Sequence, residues 1–140
     1  MKRLLNAYPL FIKDPFFSIY SNGDILNDSD TIFWTGEKKE LLGLVKIDNK
    51  IYSFLGKSEF EKLQQSDIQL ETFKTIYTFK QDDFILKIEF VSPLTLNDLK
   101  LLSCPICYMH YDFICDNKHD FEIYLLMNEK WCYNENNNDK

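Results

Sequence analysis

Four side chains that can bind zinc or react as thiols lie close together: Cys104, Cys107, His110 and Cys115. The spacing of Cys104 and Cys107 superficially fits a zinc or redox motif. The surrounding segment has the composition of a strand, in which side chains three positions apart point to opposite faces. A thioredoxin-type thiolate also needs a helix N-terminus, and the sequence predicts none here. We therefore interpret the cysteines as small core residues, with a zinc-binding module as an alternative, and expect no metal and no cofactor.

The other residues that could carry catalysis form no recognisable motif. His110 and His119 are the only histidines in the sequence, and neither has a catalytic motif around it. The pair Asp82-Asp83 is more typical of a turn than of an acid/base couple. Four glycines are too few for a Gly-rich phosphate-binding loop. We therefore predict no catalytic residue in this chain.

Aromatic side chains are the remaining signal of a functional surface. Several lie in segments without clean alternation, namely Phe16, Phe17, Tyr20, Phe33, Trp34 and Trp131. Exposed aromatic rings can stack on a sugar or on a partner surface. The simpler interpretation is that they cover the ends of the hydrophobic core. Trp34 and Gly36 fit either a buried anchor followed by a turn or the wall of a pocket.

Most of the chain has the patterns of strands joined by turns. In Phe84–Val91 the side chains alternate between apolar and polar, which is typical of a half-buried strand. Three hairpins are predicted, and their strand pairs are Leu41–Ile47 with Ile51–Leu55, Thr75–Phe79 with Phe84–Val91, and Ile106–Ile114 with Phe121–Met127. The polar residues Asp116–His119 are predicted as the turn of the third hairpin.

Helical signals are few. Ser58-Glu59-Phe60-Glu61 fits a capping box that would open a short helix to about Gln65. Thr95–Leu102, after Pro93, fits one further helical turn. The fold class predicted is mostly β: an antiparallel β-sandwich, complete or incomplete, with one or two short helical turns.

We expect one structural domain, made of an N-terminal segment (1–60), the remaining sandwich strands (61–133) and a polar, disordered tail (134–140). A chain of 140 residues with 45% hydrophobic residues can bury a core.

Charge and hydropathy exclude several functions. The net charge is −6 and no run of lysine or arginine occurs, which argues against binding to nucleic acid. No apolar run approaches the roughly 20 residues of a membrane-spanning helix, and we expect no membrane contact. The first residues, MKRLLNAYPLFIK, have no apolar core typical of a signal peptide. We therefore expect a cytoplasmic protein with reduced cysteines.

Eight short motifs follow one another along the chain. They are Pro9-Leu10, Asp14-Pro15-Phe16-Phe17-Ser18, Phe33-Trp34-Thr35-Gly36, Gly43–Asp48, Tyr52–Gly56, Thr75–Phe79, Phe90–Leu94 and Ser103–Tyr108. In this order they resemble the N-terminal region of the glutaminase A family of bacteria and fungi. Cys107 stands where the family tends to have serine. The sequence departs from the family at Lys13-Asp14, where Arg-Ser is usual, and at Leu126 and Lys130, where acidic residues are usual.

The resemblance implies a β-sandwich that precedes a large α-helical toroid. Full-length family members are linked to the hydrolysis of glutamine to glutamate and ammonia, and we expect the catalytic residues in the toroid. By this resemblance the chain is a truncated or stand-alone fragment without catalysis of its own. The toroid would be its partner, in cis or as a separate chain.

The resemblance also suggests where that partner binds. We expect Phe16, Trp34, Thr35 and Trp131 at the rim of a pocket or at the junction between sandwich and toroid. The alternative is a free-standing carbohydrate- or protein-binding module that uses exposed Trp34 or Trp131. Because strands would be missing from its edges, the chain alone is expected to self-associate through them.

Overall fold

The computed structural model describes residues 5–81 and 83–132. Strands dominate these residues, which also contain the short helix α1 (Leu99–Ser103) and a 3₁₀ helix at Glu129–Trp131. The strands are β1 (Tyr8–Asp14), β2 (Phe17–Ser21), β3 (Ile32–Phe33), β4 (Leu41–Ile47), β5 (Lys50–Leu55), β6 (Glu61–Lys62), β7 (Gln65–Leu70), β8 (Lys74–Gln81), β9 (Phe84–Val91), β10 (Tyr108–Cys115) and β11 (Phe121–Met127). The predicted mostly β fold class is confirmed.

The strands form three sheets. One sheet, here called the β4 sheet, has the order β11-β4-β5-β6. The second, the β9 sheet, has the order β10-β9-β8-β7, and the third is the three-stranded sheet β1-β2-β3. All pairs are antiparallel except β5 with β6. Because the β4 sheet contains strands from both sides of residue 60, the two halves of the sequence share one sheet.

The core lies between the β4 sheet and the β9 sheet. In β9 the alternate residues Phe84, Leu86, Ile88 and Phe90 are buried, as the period of two predicts. Aromatic rings join the two sheets, since Phe54 of β5 contacts Phe79 of β8 with 6.4 Å between ring centroids. Such contacts add to the free energy gained by removing the rings from water.

Two predicted hairpins are confirmed and the third is wrong. β4 pairs with β5, and β8 pairs with β9. β10 and β11 form as strands but do not pair with each other, because β10 adds to β9 and β11 adds to β4. Residues 116–120 therefore cross from one sheet to the other instead of making a hairpin turn. β10 and β11 lie at corresponding edges of the sandwich, where the rings of Phe113 and Phe121 stack with their centroids 4.3 Å apart.

One helical prediction is confirmed and one is wrong. α1 begins inside the predicted segment Thr95–Leu102 and ends one residue beyond it. The Asp98 side chain caps α1 by accepting a hydrogen bond from the Leu101 amide. The capping-box helix does not form, and Glu61–Lys62 is the short strand β6. The Ser58 hydroxyl has no hydrogen-bond partner in the described residues.

Some predictions lie on residues that the structure does not describe. The tail at 134–140 and Asp82 of the predicted Asp82-Asp83 turn are outside the described residues. Among the described residues, no helix is long and apolar enough to cross a lipid bilayer.

His119 ties the ends of the two main sheets together. Its Nδ1 lies 2.9 Å from Oδ2 of Asp48 in the β4–β5 turn, and its Nε2 lies 3.0 Å from Oδ2 of Asp83 in the β8–β9 turn. Hydrogen bonding to Asp48, and then to Asp83, raises the pKa of His119 above its usual value. The pKa of Asp48 is lowered, first by its bond with His119, and that of Asp83 is lowered by bonds with Asn117 and His119. Only the protonated imidazole can donate to both carboxylates.

Replacing Gly43 by alanine is expected to destabilise the fold. A Cβ atom there would lie 2.5 Å from the Phe54 ring and 2.8 Å from Cβ of Leu55, so the core would have to shift. We expect a loss of about 1–3 kcal/mol in the free energy of unfolding, measured by urea denaturation. The same substitution in a Phe54→Leu background should cost less, because the clashing end of the ring is gone. An equal cost in both backgrounds would contradict this explanation.

Because His119 bonds to Asp48 and Asp83, we expect its contribution to the free energy of unfolding to fall as pH rises. A histidine whose pKa is higher in the folded state stabilises the fold fully below its unfolded value of about 6.5. That contribution is lost as the pH rises through the raised folded pKa. The aspartates act in the opposite sense, since their lowered pKa values stabilise the fold above about 3.9 and this is lost in acid.

The measurement is the urea midpoint from pH 5 to pH 9 for the natural chain and for His119→Gln. The difference between the two proteins should shrink with rising pH. His110→Gln is the control, because His110 lies exposed in β10. A difference that is constant across this range would show that the contact does not depend on protonation.

Candidate functional site

The candidate residues line a single concave surface. A pocket of about 400 Å³ opens between the β1–β2 turn, the loop after β3 and the 3₁₀ helix. Its lining is Pro15, Phe16, Phe17, Ile19, Phe33, Trp34, Thr35, Lys39, Trp131 and Cys132, and we call it the aromatic pocket. All four residues expected at a junction or pocket rim, Phe16, Trp34, Thr35 and Trp131, are among them. Whether the pocket is the junction remains a prediction.

A tight turn presents Trp34 and Thr35. The Gly36 amide donates to the Phe33 carbonyl at 2.9 Å, so Trp34 and Thr35 are the two central residues of the turn. The Phe33 amide then bonds the Glu37 carbonyl at 2.8 Å. Gly36 has a φ of 88°, which glycine adopts without steric cost. Trp34 is 62% exposed, because the turn projects its indole away from the core.

A second turn presents Phe16 to the same pocket. The Oδ1 atom of Asp14 accepts hydrogen bonds from the amides of Phe16 at 2.7 Å and Phe17 at 3.0 Å. Next to it, Lys13 donates from Nζ to the carbonyls of Pro93 and Leu101, which fixes β1 to the segment around α1. The pair Lys13-Asp14, which departs from the family pattern, thus has a structural role here. It leaves the Phe16 ring 92% exposed.

The Trp131 side chain is held in place by a hydrogen bond and a ring contact. Its Nε1 donates to the Glu40 carbonyl at 3.0 Å, and its ring contacts Phe11 edge-on at 6.4 Å. It is partly buried and packs against the core cluster. Of the two indoles only that of Trp34 is largely exposed, so the flat exposed pair that a stacking platform would use is absent from the described residues.

Lys39 is a residue of the pocket that the sequence patterns did not identify. It is 3% exposed, and its Nζ bonds the Lys130 carbonyl at 2.5 Å and Oε1 of Glu37 at 3.3 Å. The ammonium also lies 6.0 Å from the centroid of the Phe33 ring. One signal could have found it. Lys39 is in phase with the buried alternate residues of β4, beginning at Leu41.

The chemistry available in the aromatic pocket is that of an apolar contact surface. Its described lining contains one ammonium and one thiol, but no carboxylate or imidazole that could act as general acid or base. His119 lies at the end of the sandwich with both ring nitrogens bonded to aspartates. The pocket can therefore hold apolar groups from a ligand or a partner.

The cysteines are separated by the fold. Cys104 is the C-cap residue of α1, whereas the Cys107 thiol lies 3.8 Å from the Ser92 hydroxyl and 4.0 Å from the Ile12 carbonyl. Burial raises the pKa of Cys107, which disfavours the reactive thiolate. Within residues 5–81 and 83–132 no three metal-binding side chains come together.

Comparison with known proteins gives matches along both halves of the chain. Residues 3–66 match a family described as a domain of unknown function, DUF4964. Residues 73–140 match a second domain of unknown function, DUF5127. No solved structure matches significantly.

A curated relative carries a functional name. The chain is 25% identical over 142 aligned residues to Glutaminase A of Aspergillus oryzae. The alignment covers 94% of this chain but only 21% of that relative, so the chain spans about a fifth of its length. The resemblance expected from the motifs is thereby confirmed: the chain is similar to the N-terminal region of the glutaminase A family.

Proposed function

We propose that this chain is the non-catalytic β-sandwich of a glutaminase A-like amide hydrolase, and that the aromatic pocket is its docking surface for the catalytic part. That part is a helical toroid, joined in cis or supplied as a separate chain, which hydrolyses glutamine to glutamate and ammonia. The observation that carries the proposal is the convergence of Phe16, Trp34, Thr35 and Trp131 on one pocket. These residues come from three separate segments of a region that is similar to the start of Glutaminase A.

The exposure of the rings supports docking of a protein surface. Phe16 and Trp34 project from turns that are closed by hydrogen bonds, so their backbones are already ordered before a partner arrives. Ordered aromatic side chains are typical anchors of protein interfaces, because they bury a large apolar area at a small entropic cost. Trp131 is fixed by its hydrogen bond to the Glu40 carbonyl, and Phe33 is buried. These two residues form the rigid part of the pocket against which a partner can pack.

The electrostatics of the pocket also favour a binding role over catalysis. Lys39 has its charge satisfied by Glu37 and by the Lys130 carbonyl. A lysine held in this way stabilises the 3₁₀ helix that carries Trp131, since it bonds the residue before the indole. Its role in the proposal is to position Trp131.

A chimera tests the proposal. The matched N-terminal region of the Aspergillus oryzae Glutaminase A is replaced by this chain, and ammonia release from glutamine is measured. We expect the chimera to be active and the chain alone to be inactive. Trp34→Ala in the chimera should weaken docking by about 2 kcal/mol, because an exposed tryptophan anchor is lost. The weakening should appear as faster proteolysis between the two parts and a lower activity.

The matched control is Phe60→Ala, which removes another exposed aromatic ring that does not line the pocket. Hydrolysis of glutamine by the chain alone would contradict the proposal. So would equal proteolysis of the Trp34→Ala and Phe60→Ala chimeras, because the aromatic pocket would then make no contact of its own.

A further inference from the structure

The outer edge of β11 carries unpaired backbone groups. The Asp48 amide donates to the Asp120 carbonyl at 2.8 Å, in the same register that pairs Ile47 with Phe121. Hydrogen-bonded and non-hydrogen-bonded pairs alternate along an antiparallel ladder. Tyr124 and Leu126 therefore direct their backbone groups to β4. Ile123, Leu125 and Met127 direct theirs to the other side, where no strand of the described residues pairs with β11.

Those same residues face the interior of the sandwich, yet the interior is open beside them. Phe121 and Ile123 pack against the core, and the period of two places Leu125 and Met127 on the same face. Leu125 is nevertheless 43% exposed and Met127 is 62% exposed. Together with Phe11, Leu41 and other residues they line an apolar cavity of about 180 Å³. As far as residues 5–81 and 83–132 show, the sandwich is thus incomplete along this edge.

The edge of β11 lacks the features that protect a free strand. From Ile123 to Met127 no residue is charged and none is proline. Natural edge strands are commonly blunted by such residues. β10, the corresponding edge of the other sheet, has His110 and Asp112 on its exposed face. Of these two edge strands, β11 is therefore the better acceptor for an additional strand.

We propose that β11 accepts an extended strand from the part of the glutaminase A-like assembly that lies outside the matched region. This inference rests on the proposed function. The incoming backbone pairs with Ile123, Leu125 and Met127. Its inward side chains are apolar and fill the open cavity beside Leu125 and Met127. Its outward side chains lie beside Tyr124 and Leu126, so aromatic or aliphatic residues suit that face as well.

Two observations favour this occupant over a second copy of the chain. Because the chain spans only 21% of Glutaminase A, most of that relative lies outside the matched region and can supply such a strand. The open cavity also adjoins the aromatic pocket, since Phe17 and Trp131 line both. A partner docked on the aromatic pocket would thus already lie beside the edge of β11.

The test uses overlapping synthetic peptides that cover the part of the Aspergillus oryzae Glutaminase A outside the matched region. Binding to the full chain is measured by fluorescence anisotropy, and amide hydrogen exchange is followed by NMR. We expect apolar, strand-forming peptides to bind and to slow exchange at Ile123, Leu125 and Met127 by about tenfold or more. Exchange at Tyr124 and Leu126 should change little, because their amides already bond to β4.

Two controls separate strand addition from general stickiness. A peptide N-methylated at alternate positions loses the amides that pair with β11, so its binding should be lost while its side chains stay the same. Met127→Asp should weaken binding at least tenfold, whereas Leu96→Asp, the same kind of change on an exposed loop, should leave it unchanged. If Met127→Asp does not fold, the N-methylated peptide still decides the question with the unaltered chain.

Three results would overturn the inference. They are the absence of any peptide that protects the three outward amides, equal binding of the N-methylated peptide, and protection of these amides by rising concentration of the chain alone. The last result would assign the edge to a second copy. An active chimera with an unprotected β11 edge would leave the proposed function standing and reject only the strand addition.

Discussion

The packing of the β4 sheet on the β9 sheet is the constraint on which the rest of the structure depends. Both sheets direct alternate residues inward, and rings such as Phe54 and Phe79 fill the space between them. Once these faces are paired, each neighbouring strand must continue the same alternation. Side chains in and next to the β9 sheet hold the three-stranded sheet. The Ile12 amide donates to the hydroxyl of Ser92, which follows β9, and the Thr75 hydroxyl of β8 donates to the Pro9 carbonyl. The positions of both candidate surfaces follow from this frame.

Sequence patterns predicted the strands but not every partner. A period of two identifies a strand and its buried face, and this was sufficient for β4, β5, β8 and β9. It contains no information about which edge a strand joins, so the polar residues 116–120 looked like a hairpin turn. The edges of β4 and β9 were both free to accept a strand, and His119 bonds to a turn of each sheet. The capping-box helix was wrongly predicted because, between Ser58 and Gln65, only Leu63 is buried, so the segment has no apolar helical face.

The sequence identified those residues of the candidate site whose residue type or motif is unusual. Phe16, Trp34, Thr35 and Trp131 were identifiable as aromatic residues and motif positions outside regular alternation. Lys39 was missed although it is in phase with the buried residues of β4, because a lysine beside a turn is usually solvated. Its burial depends on the Lys130 carbonyl, which is far away in sequence. The convergence of three segments on one pocket is a tertiary property that the local patterns do not contain.

Trp131 connects the two surfaces physically. Trp131 lines both the aromatic pocket and the open cavity beside β11. Its position is fixed by the Glu40 carbonyl and by Phe11, so it can contact a partner on either surface without rearranging. A partner that filled only the aromatic pocket would leave Leu125 and Met127 in water, and one that paired only with β11 would leave Phe16 and Trp34 exposed. The largest gain in buried apolar area comes from one partner that covers both surfaces across Trp131.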